Sequence, residues 1–367
     1  MHLLIISTME MHPWGGSEEL WSSTAMVLLR LGYKITVEIK AWPSVHPTVA
    51  RLAQQGASVR YRAAFYQNVS RRWRYPFTSF LKRSRPDLVL ISQGSTTEGV
   101  VWMEACQEAG IPYVTVAHLA VPWSWPTDEV AERLAEAYLG ARRAYFVSKE
   151  NLALTQKQLG RTLPHAKVIR NPFKVPYTVN LAWPDMRTAH WACVARLDTY
   201  IKGIDILFEV LAQDKWRNRA LTVTLYGTGL NKEILCKQRE EMKLWNVGFA
   251  GFVPNPVDIW QKEHCLILPS RAEGLPLAIV EAMLCGRPCI VTNVSGNAEL
   301  LEDNVTGFLA ASPSVNDLDE AMERAWRNRD SWQTMGNSAA IAVRQSVPPE
   351  PAQAFADELL SVGTQTA

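Results

Sequence analysis

Leu268-Pro-Ser-Arg-Ala-Glu-Gly-Leu-Pro-Leu-Ala-Ile-Val-Glu-Ala-Met-Leu-Cys285 decides how the rest of this chain is read. The run Cys265-Leu-Ile-Leu268 leading into it has the length and apolarity of a buried strand. Ser270-Arg-Ala-Glu-Gly274 is polar and bent, and a helix is predicted from about Pro276. Proline suits a first helical turn because its missing N–H breaks no intrahelical bond. Strand, loop and helix N-terminus together present unpaired backbone N–H groups and partial positive charge to an anionic ligand. Glu273 falls in the loop and Glu281 inside the helix, so the two carboxylates are expected to frame one crevice from different depths. Ionised carboxylates accept strong hydrogen bonds, which suits them to sugar hydroxyls. The competing reading is an ordinary βα unit with two solvent-facing glutamates.

At 367 residues the chain is too long for one ordinary core and predicts two domains. An apolar fraction of 47% and a charged fraction of 20% are those of a soluble globular protein. The net charge of +2 carries none of the excess expected of a nucleic-acid binder. Cys106, Cys193, Cys236, Cys265, Cys285 and Cys289 are scattered through apolar segments and form neither a zinc pattern nor a disulfide framework. Reduced thiols in a cytoplasmic protein are expected from that cysteine pattern, and with no cationic leader in the first residues and no stretch of membrane-span length, any membrane is expected to be met from the surface.

A βα rhythm runs through both halves. Leu3-Leu-Ile-Ile6 reads as a buried strand that breaks into His12-Pro-Trp-Gly-Gly-Ser-Glu-Glu19. Gly15 and Gly16 are expected to permit backbone conformations and close approaches closed to other residues. Leu20, Thr24, Val27, Leu28 and Leu31 mark one face of the following helix, ended by Gly32. The turn is not Gly-x-Gly-x-x-Gly, so a dinucleotide-binding dehydrogenase gains little support. Strands at 58–61, 87–91, 113–116, 144–147 and 167–169 alternate with helical patterns at 97–108, 127–139 and 149–159. Such alternation predicts a parallel sheet covered on both faces, with ligands at the carboxyl ends of its strands. His118 follows one such end and reads as either a ligand contact or a packed core side chain. Asn171-Pro-Phe-Lys-Val-Pro176 closes a first domain over 1–175, and a second βα series occupies 185–345.

Residues 60–85 combine Arg60, Arg62, Arg71, Arg72, Arg74, Lys82, Arg83 and Arg85 with seven aromatics and no acid. That composition suits lipid headgroups, an acidic acceptor or single-stranded nucleic acid, the last opposed by the balanced total charge. A solvated basic loop and helix is the plainer alternative. Trp123 and Trp125 read as an aromatic wall or as packing.

In the second half Arg196 and Lys202, six apart across Arg196-Leu-Asp-Thr-Tyr-Ile-Lys-Gly203, can aim two cations at a diphosphate. Tyr226-Gly-Thr-Gly229 supplies another phosphate-suited turn through Gly227, and Gly251-Phe252-Val253 follows a further strand. Asp317-Leu-Asp319 spells Asp-x-Asp but falls at a predicted helix start, where capping explains it better than metal binding.

With its Ser-Arg-x-Glu-Gly-x-Pro-x-x-x-x-Glu-Ala-Met context, the Glu273 and Glu281 pair resembles the signature of the family 4 retaining glycosyltransferases. The Arg196…Lys202-Gly203 element and the Gly15–Gly16 turn resemble the same family, as does Thr292-Asn-Val-Ser-Gly-Asn-Ala-Glu299, where Ser295 replaces one of the usual glycines. The resemblance implies the GT-B architecture, an α/β fold of two Rossmann-like doubly wound domains facing a cleft, with 346–367 returning to the first domain. It implies a hexosyltransferase that retains anomeric configuration and needs neither metal nor cofactor, its donor a nucleotide sugar expected to be UDP-linked. The implied acceptor is a saccharide, glycolipid or polysaccharide precursor bound to the first domain. His118, Arg196, Lys202 and Glu273 take the catalytic positions. Gly15, Gly16, Gly227, Gly251, Phe252, Val253, Gly274, Leu275, Pro276, Leu277 and Glu281 take donor-binding ones. A UDP-sugar epimerase of the same architecture is opposed by the intact Glu273…Glu281 element. A non-catalytic carbohydrate- or membrane-binding protein on this scaffold is opposed by the retained Arg196 and Lys202.

Overall fold

The computed structural model describes residues 1–63 and 75–364. They divide into two compact units, Met1–Pro172 with Glu350–Ala367, and Phe173–Pro349.

The first unit contains β1 (His2–Ser7), α1 (Gly16–Arg30), β2 (Lys34–Lys40), α2 (Pro47–Gln54), β3 (Ser58–Arg62), α3 (Tyr75–Ser84), β4 (Leu88–Gln93), α4 (Val100–Ala109), β5 (Tyr113–Ala117), α5 (Asp128–Leu139), β6 (Arg143–Phe146), α6 (Lys149–Leu159) and β7 (Ala166–Val168). Its strands pair in parallel in the order β3-β2-β1-β4-β5-β6-β7. The central strands β1, β4 and β5 are buried nearly throughout, as befits a parallel sheet covered on both faces.

The second unit contains β8 (Ala189–Val194), α7 (Thr199–Lys202), α8 (Ile204–Leu211), α9 (Asp214–Arg217), β9 (Leu221–Tyr226), α10 (Lys232–Glu241), β10 (Val247–Gly251), α11 (Val257–Trp260), β11 (Cys265–Leu268), α12 (Leu277–Leu284), β12 (Cys289–Thr292), α13 (Asn297–Leu300), β13 (Gly307–Ala310), α14 (Val315–Arg327) and α15 (Trp332–Ser346). Its parallel order is β10-β9-β8-β11-β12-β13. The doubly wound α/β organisation expected from the alternating pattern is therefore present twice. The last helix, α16 (Pro351–Thr364), belongs to the first unit and packs Phe355, Ala356, Leu359 and Val362 into the core that holds Leu20, Leu28 and Leu90.

Aromatic packing fills the second core. Trp191 meets Trp216 and Trp332, each at a centroid distance of 5.9 Å. The Trp216 indole N–H donates to Asp319 at 2.6 Å, and the Trp332 indole N–H donates to the Ala325 carbonyl at 2.9 Å. Asp319 is thus held by packing, while Asp317 sits in the first turn of α14, its N–H donating to the Ser314 hydroxyl at 3.2 Å. All six cysteines are free thiols, five of them buried.

Two expectations are corrected. Leu31 does not belong to the buried face of α1: it caps the helix and is 55% exposed, while Trp21 and Ala25 join Leu20, Thr24, Val27 and Leu28 inside. The apolar spacing matched, but α1 ends at Arg30 before its face comes round to Leu31. Arg62 is not part of a basic surface either. It is buried, its guanidinium donating to Glu38 at 2.9 Å and to Glu10 at 2.9 Å. Two acids distant in sequence neutralise it, which a local count of charge does not see. Arg71, Arg72, Arg74, Phe65, Tyr66 and Trp73 of the same basic stretch lie outside the described residues.

Candidate functional site

From β8 the second sheet grows through β9 and β10 on one side and from β11 through β12 and β13 on the other. Neighbouring strands β8 and β11 therefore send their following loops apart at the topological switch point, where ligands of doubly wound sheets bind. The loop after β8 carries Arg196 and Asp198 and ends in α7 with Lys202. That after β11 carries Ser270 to Pro276 and leads into α12.

These two loops bring their charges together. Lys202 Nζ lies 2.6 Å from Glu273 Oε1, and the Ser270 hydroxyl donates to the same oxygen at 2.6 Å. The Thr292 hydroxyl in turn donates to the Ser270 carbonyl at 2.6 Å. Glu273 and Ser270 are buried, and the Lys202 side chain is 18% exposed. A carboxylate this secluded is tolerated because a cation and a hydroxyl both satisfy it. Arg271 ties the loops a second time, with a bidentate pair to Asp205 at 2.6 and 2.8 Å and a bond to the Thr199 carbonyl at 2.6 Å. The Arg271 N–H also donates to the Ile201 carbonyl at 2.7 Å.

Two glycines allow this closeness. Gly203 has φ +62°, and a Cβ there would stand 2.1 Å from the Pro269 carbonyl oxygen. Gly227 has φ +138°, and a Cβ would stand 2.0 Å from the Ala195 carbonyl oxygen. Only a residue without a side chain lets these turns lie against the neighbouring backbone. The turn after β9 is zipped to the Arg196 loop by bonds from the Leu197 N–H to the Thr228 carbonyl and from the Asn231 N–H to the Leu197 carbonyl, each 3.0 Å.

Arg196 is about one-third exposed and donates to Asp198 at 3.1 Å, while its Nε is buried without a partner. Glu281, buried in α12, accepts the Lys174 N–H at 2.9 Å. Leu275 and Pro276 are buried and Gly274 and Leu277 partly so, with Pro276 capping α12. Gly251 closes β10 with φ +73°; Phe252 beyond it is 68% exposed and Val253 half-buried. Ser295 holds a left-handed backbone, φ +47°, where the resemblance led one to expect glycine. Its hydroxyl accepts the Glu273 N–H at 3.4 Å, and the Gly296 N–H donates to the Gly274 carbonyl at 3.1 Å, so this turn supports the loop.

In the first unit His118 follows β5, buried, and neither ring nitrogen has a hydrogen-bond partner. Burial pushes its pKa down to about 3, so the imidazole is neutral. Trp21, Trp191 and Trp260 likewise bury an indole nitrogen without a partner, so this feature alone does not set His118 apart from packed core side chains. Gly15 departs from expectation: its φ of −156° is ordinary extended backbone, and a Cβ would meet nothing nearer than 3.7 Å. Gly16 opens α1. Behind this turn Glu18 is buried and accepts the Ser7 hydroxyl at 2.9 and 3.0 Å, and burial pushes its pKa up to about 7. Glu98 accepts the Thr8 hydroxyl at 2.6 Å and the Gly94 N–H at 3.1 Å. Sequence reasoning missed Thr292, Asp205 and Glu98 as supports, since each has its partner on a distant segment, and missed Ser270, which lies three residues before the Glu273 it supports. Trp123 and Trp125 are exposed, the latter's indole N–H donating to the Pro122 carbonyl at 3.0 Å.

Residues 187–341 match the model of the family described as glycosyl transferases group 1. The matched segment lies within the second unit. Over 119 residues the chain is 29% identical to the poly(ribitol-phosphate) alpha-N-acetylglucosaminyltransferase of Staphylococcus aureus, covering 32% of this chain and 24% of the relative. Over 88 residues it is 38% identical to the UDP-Gal:alpha-D-GlcNAc-diphosphoundecaprenol alpha-1,3-galactosyltransferase of Escherichia coli, covering 24% of this chain and 21% of the relative. The chain thus spans less than a quarter of either relative's length. The group 1 segment includes both loops of the switch point. Among solved structures, HepE of Anabaena in complex with UDP superposes with a TM-score of 0.78 at 21% identity, covering 98% of this chain and 100% of that one. The fold is GT-B: two Rossmann-like parallel-sheet units, as in its structural neighbours.

Proposed function

We propose that the protein is a retaining, metal-independent glycosyltransferase that moves a hexosyl unit from a UDP-linked sugar to a saccharide, glycolipid or polysaccharide-precursor acceptor. The observation that carries the reading is the Lys202–Glu273 pair at the switch point of a group 1 unit. Breaking a sugar–phosphate bond builds negative charge on the leaving nucleoside diphosphate and positive charge on the sugar. Lys202 and Arg196 bear the charge that stabilises the former, aided by the N-terminus of α12. Glu273 and Glu281 bear the acceptors that grip the sugar and the ribose. Without donor, Lys202 and Arg196 rest on Glu273 and Asp198. Donor binding redirects each cation to phosphate while the acids remain as hydrogen-bond acceptors. His118, in the first unit, is kept neutral by burial, so any bond it makes to substrate is that of an uncharged imidazole.

Two names support the donor class. The Escherichia coli relative is named for a UDP-Gal donor, and the HepE structure holds UDP. The acceptor class follows the same relatives, one named for poly(ribitol-phosphate) and one for a diphosphoundecaprenol-linked sugar. Among the described residues no helix is long and apolar enough to cross a membrane. We assign any meeting with anionic lipid to the exposed Arg60, Lys82, Arg83 and Arg85.

A panel of UDP-, GDP- and ADP-sugars, scored by thermal stabilisation and nucleotide release with and without EDTA, tests the reading. A UDP-sugar that stabilises the protein and is turned over in EDTA, giving a product of retained configuration, is the expected result. Turnover abolished by EDTA and rescued by manganese, or an inverted product, contradicts it.

A further inference from the structure

Lys202 stands on a helix that cannot hold it unaided. α7 is a single turn, far below the roughly 12–15 residues at which a helix persists by itself. Its first N–H groups are met from nearby: the Asp198 carboxylate accepts the Ile201 N–H at 3.4 Å, and the Asn231 side-chain oxygen accepts the Thr199 N–H at 3.0 Å. Arg271 takes up the carbonyls. Its backbone N–H donates to the Ile201 carbonyl at 2.7 Å, and its Nη1 donates to the Thr199 carbonyl at 2.6 Å.

The same guanidinium reaches past the Gly203 corner. Nη1 and Nη2 donate to the two carboxylate oxygens of Asp205, at 2.8 and 2.6 Å, in the first turn of α8. One planar group therefore spans a carbonyl of α7 and a carboxylate of α8, with Lys202 at the corner between them. Arginine suits this task because its donors diverge in a rigid fork, whereas a lysine ammonium is a point charge. The Arg271 and Asp205 side chains are 30% and 31% exposed, and an ion pair so open to water adds little to stability. Its consequence for geometry is larger. Arg271 lies two residues before Glu273, so the bracket on α7 and the carboxylate 2.6 Å from Lys202 Nζ are carried by one loop. Fixing α7 against that loop fixes the ammonium against the oxygen.

We propose that Arg271 is a positioning residue for Lys202: with Asp205 it holds α7 against the loop after β11, so that the ammonium is set where the charge of the leaving diphosphate develops. Service to a diphosphate rests on the transferase reading; the hold on Lys202 does not.

The test uses the full-length protein. Wild type, Arg271→Lys and Asp205→Asn are acetylated briefly without nucleotide by the N-hydroxysuccinimide ester of acetate. Modification of Lys202 is read by peptide mass spectrometry against exposed Lys157 of the first unit. Turnover is read as UDP release from UDP-glucose, UDP-galactose and UDP-N-acetylglucosamine, with Lys202→Ala and the Arg271→Lys/Lys202→Ala double variant alongside. We expect Lys202 to react roughly fivefold faster or more in Arg271→Lys and in Asp205→Asn, since a loosened α7 releases the amine. Turnover should fall roughly tenfold or more in Arg271→Lys, the loss lying in kcat with KM changed by less than about threefold, since Lys202 acts on the developing charge. Added to Lys202→Ala, Arg271→Lys should cost less than about threefold, because a residue acting through Lys202 has nothing left to position. Asp205→Asn keeps the shape of the side chain, so the result does not depend on Arg271→Lys folding. Unchanged Lys202 reactivity in either folded variant, or losses that multiply in the double variant, overturns the positioning role. A wild type that turns over none of the three sugars while Lys202 is released in both variants sinks the transferase reading and leaves the hold on Lys202 standing.

Discussion

Lys202→Ala removes a cation that the structure holds 2.6 Å from a buried carboxylate. On the proposed reading, losing such a preorganised charge costs on the order of 3 kcal/mol of barrier, roughly a hundredfold in turnover. Glu273→Ala should lose a comparable factor, and steady-state assays of both variants with one UDP-sugar check this. Ser295 offers a test by stability alone. Its left-handed backbone costs a residue with a Cβ about 1–2 kcal/mol more than glycine. Ser295→Gly should therefore be more stable to urea than Ser295→Ala by about 1 kcal/mol, since both lose the hydroxyl and only glycine relieves the backbone. Equal midpoints would mean that the strain is absent. At this scale the sequence showed Glu273, Glu281, Arg196 and Lys202 because each lies in a local motif. It could not show that Lys202 and Glu273 touch, because 71 positions separate them.

The elements behave as the switch-point geometry requires. Helices α7 and α8 meet at Gly203, and an alanine there would carry its Cβ into the Pro269 carbonyl at 2.1 Å while holding φ +62°. Gly203→Ala should destabilise the protein by at least about 2 kcal/mol, read from chemical denaturation. Helix α16 is a second case. Phe355 is buried edge-on to Tyr145 with centroids 5.1 Å apart, so Phe355→Ala should cost about 3–5 kcal/mol. Element types were legible wherever apolar runs were long: the β11–loop–α12 unit was readable from Cys265 to Cys285. Legibility failed where a distant partner decided. Arg62 looked basic and exposed until Glu10 and Glu38, on other segments, were seen to enclose it.

The whole molecule carries opposed titrations. Folding holds His118 neutral with its pKa near 3, against 6.5 for the exposed ring. The unfolded chain takes up that proton first as pH falls, so this contribution is complete above about pH 6.5 and lost toward pH 3. Glu18 and Glu38 act in the other direction, their pKa values raised by burial from 4.5 to about 7. Their contribution is complete below about pH 4.5 and lost as pH rises through 7. Glu18→Gln should therefore flatten the fall in unfolding free energy across that upper window, and an unchanged slope would show that Glu18 is ionised throughout. Two βα series announced two doubly wound units, because alternation of strand and helix is a property of the chain itself. On the proposed reading the chemistry takes place at the switch point of the second sheet. UDP release from a UDP-sugar, measured side by side for the wild-type protein and Lys202→Ala, tests it most directly. Turnover by the wild type and a roughly hundredfold loss in a folded Lys202→Ala are expected. Equal rates in the two proteins would contradict it.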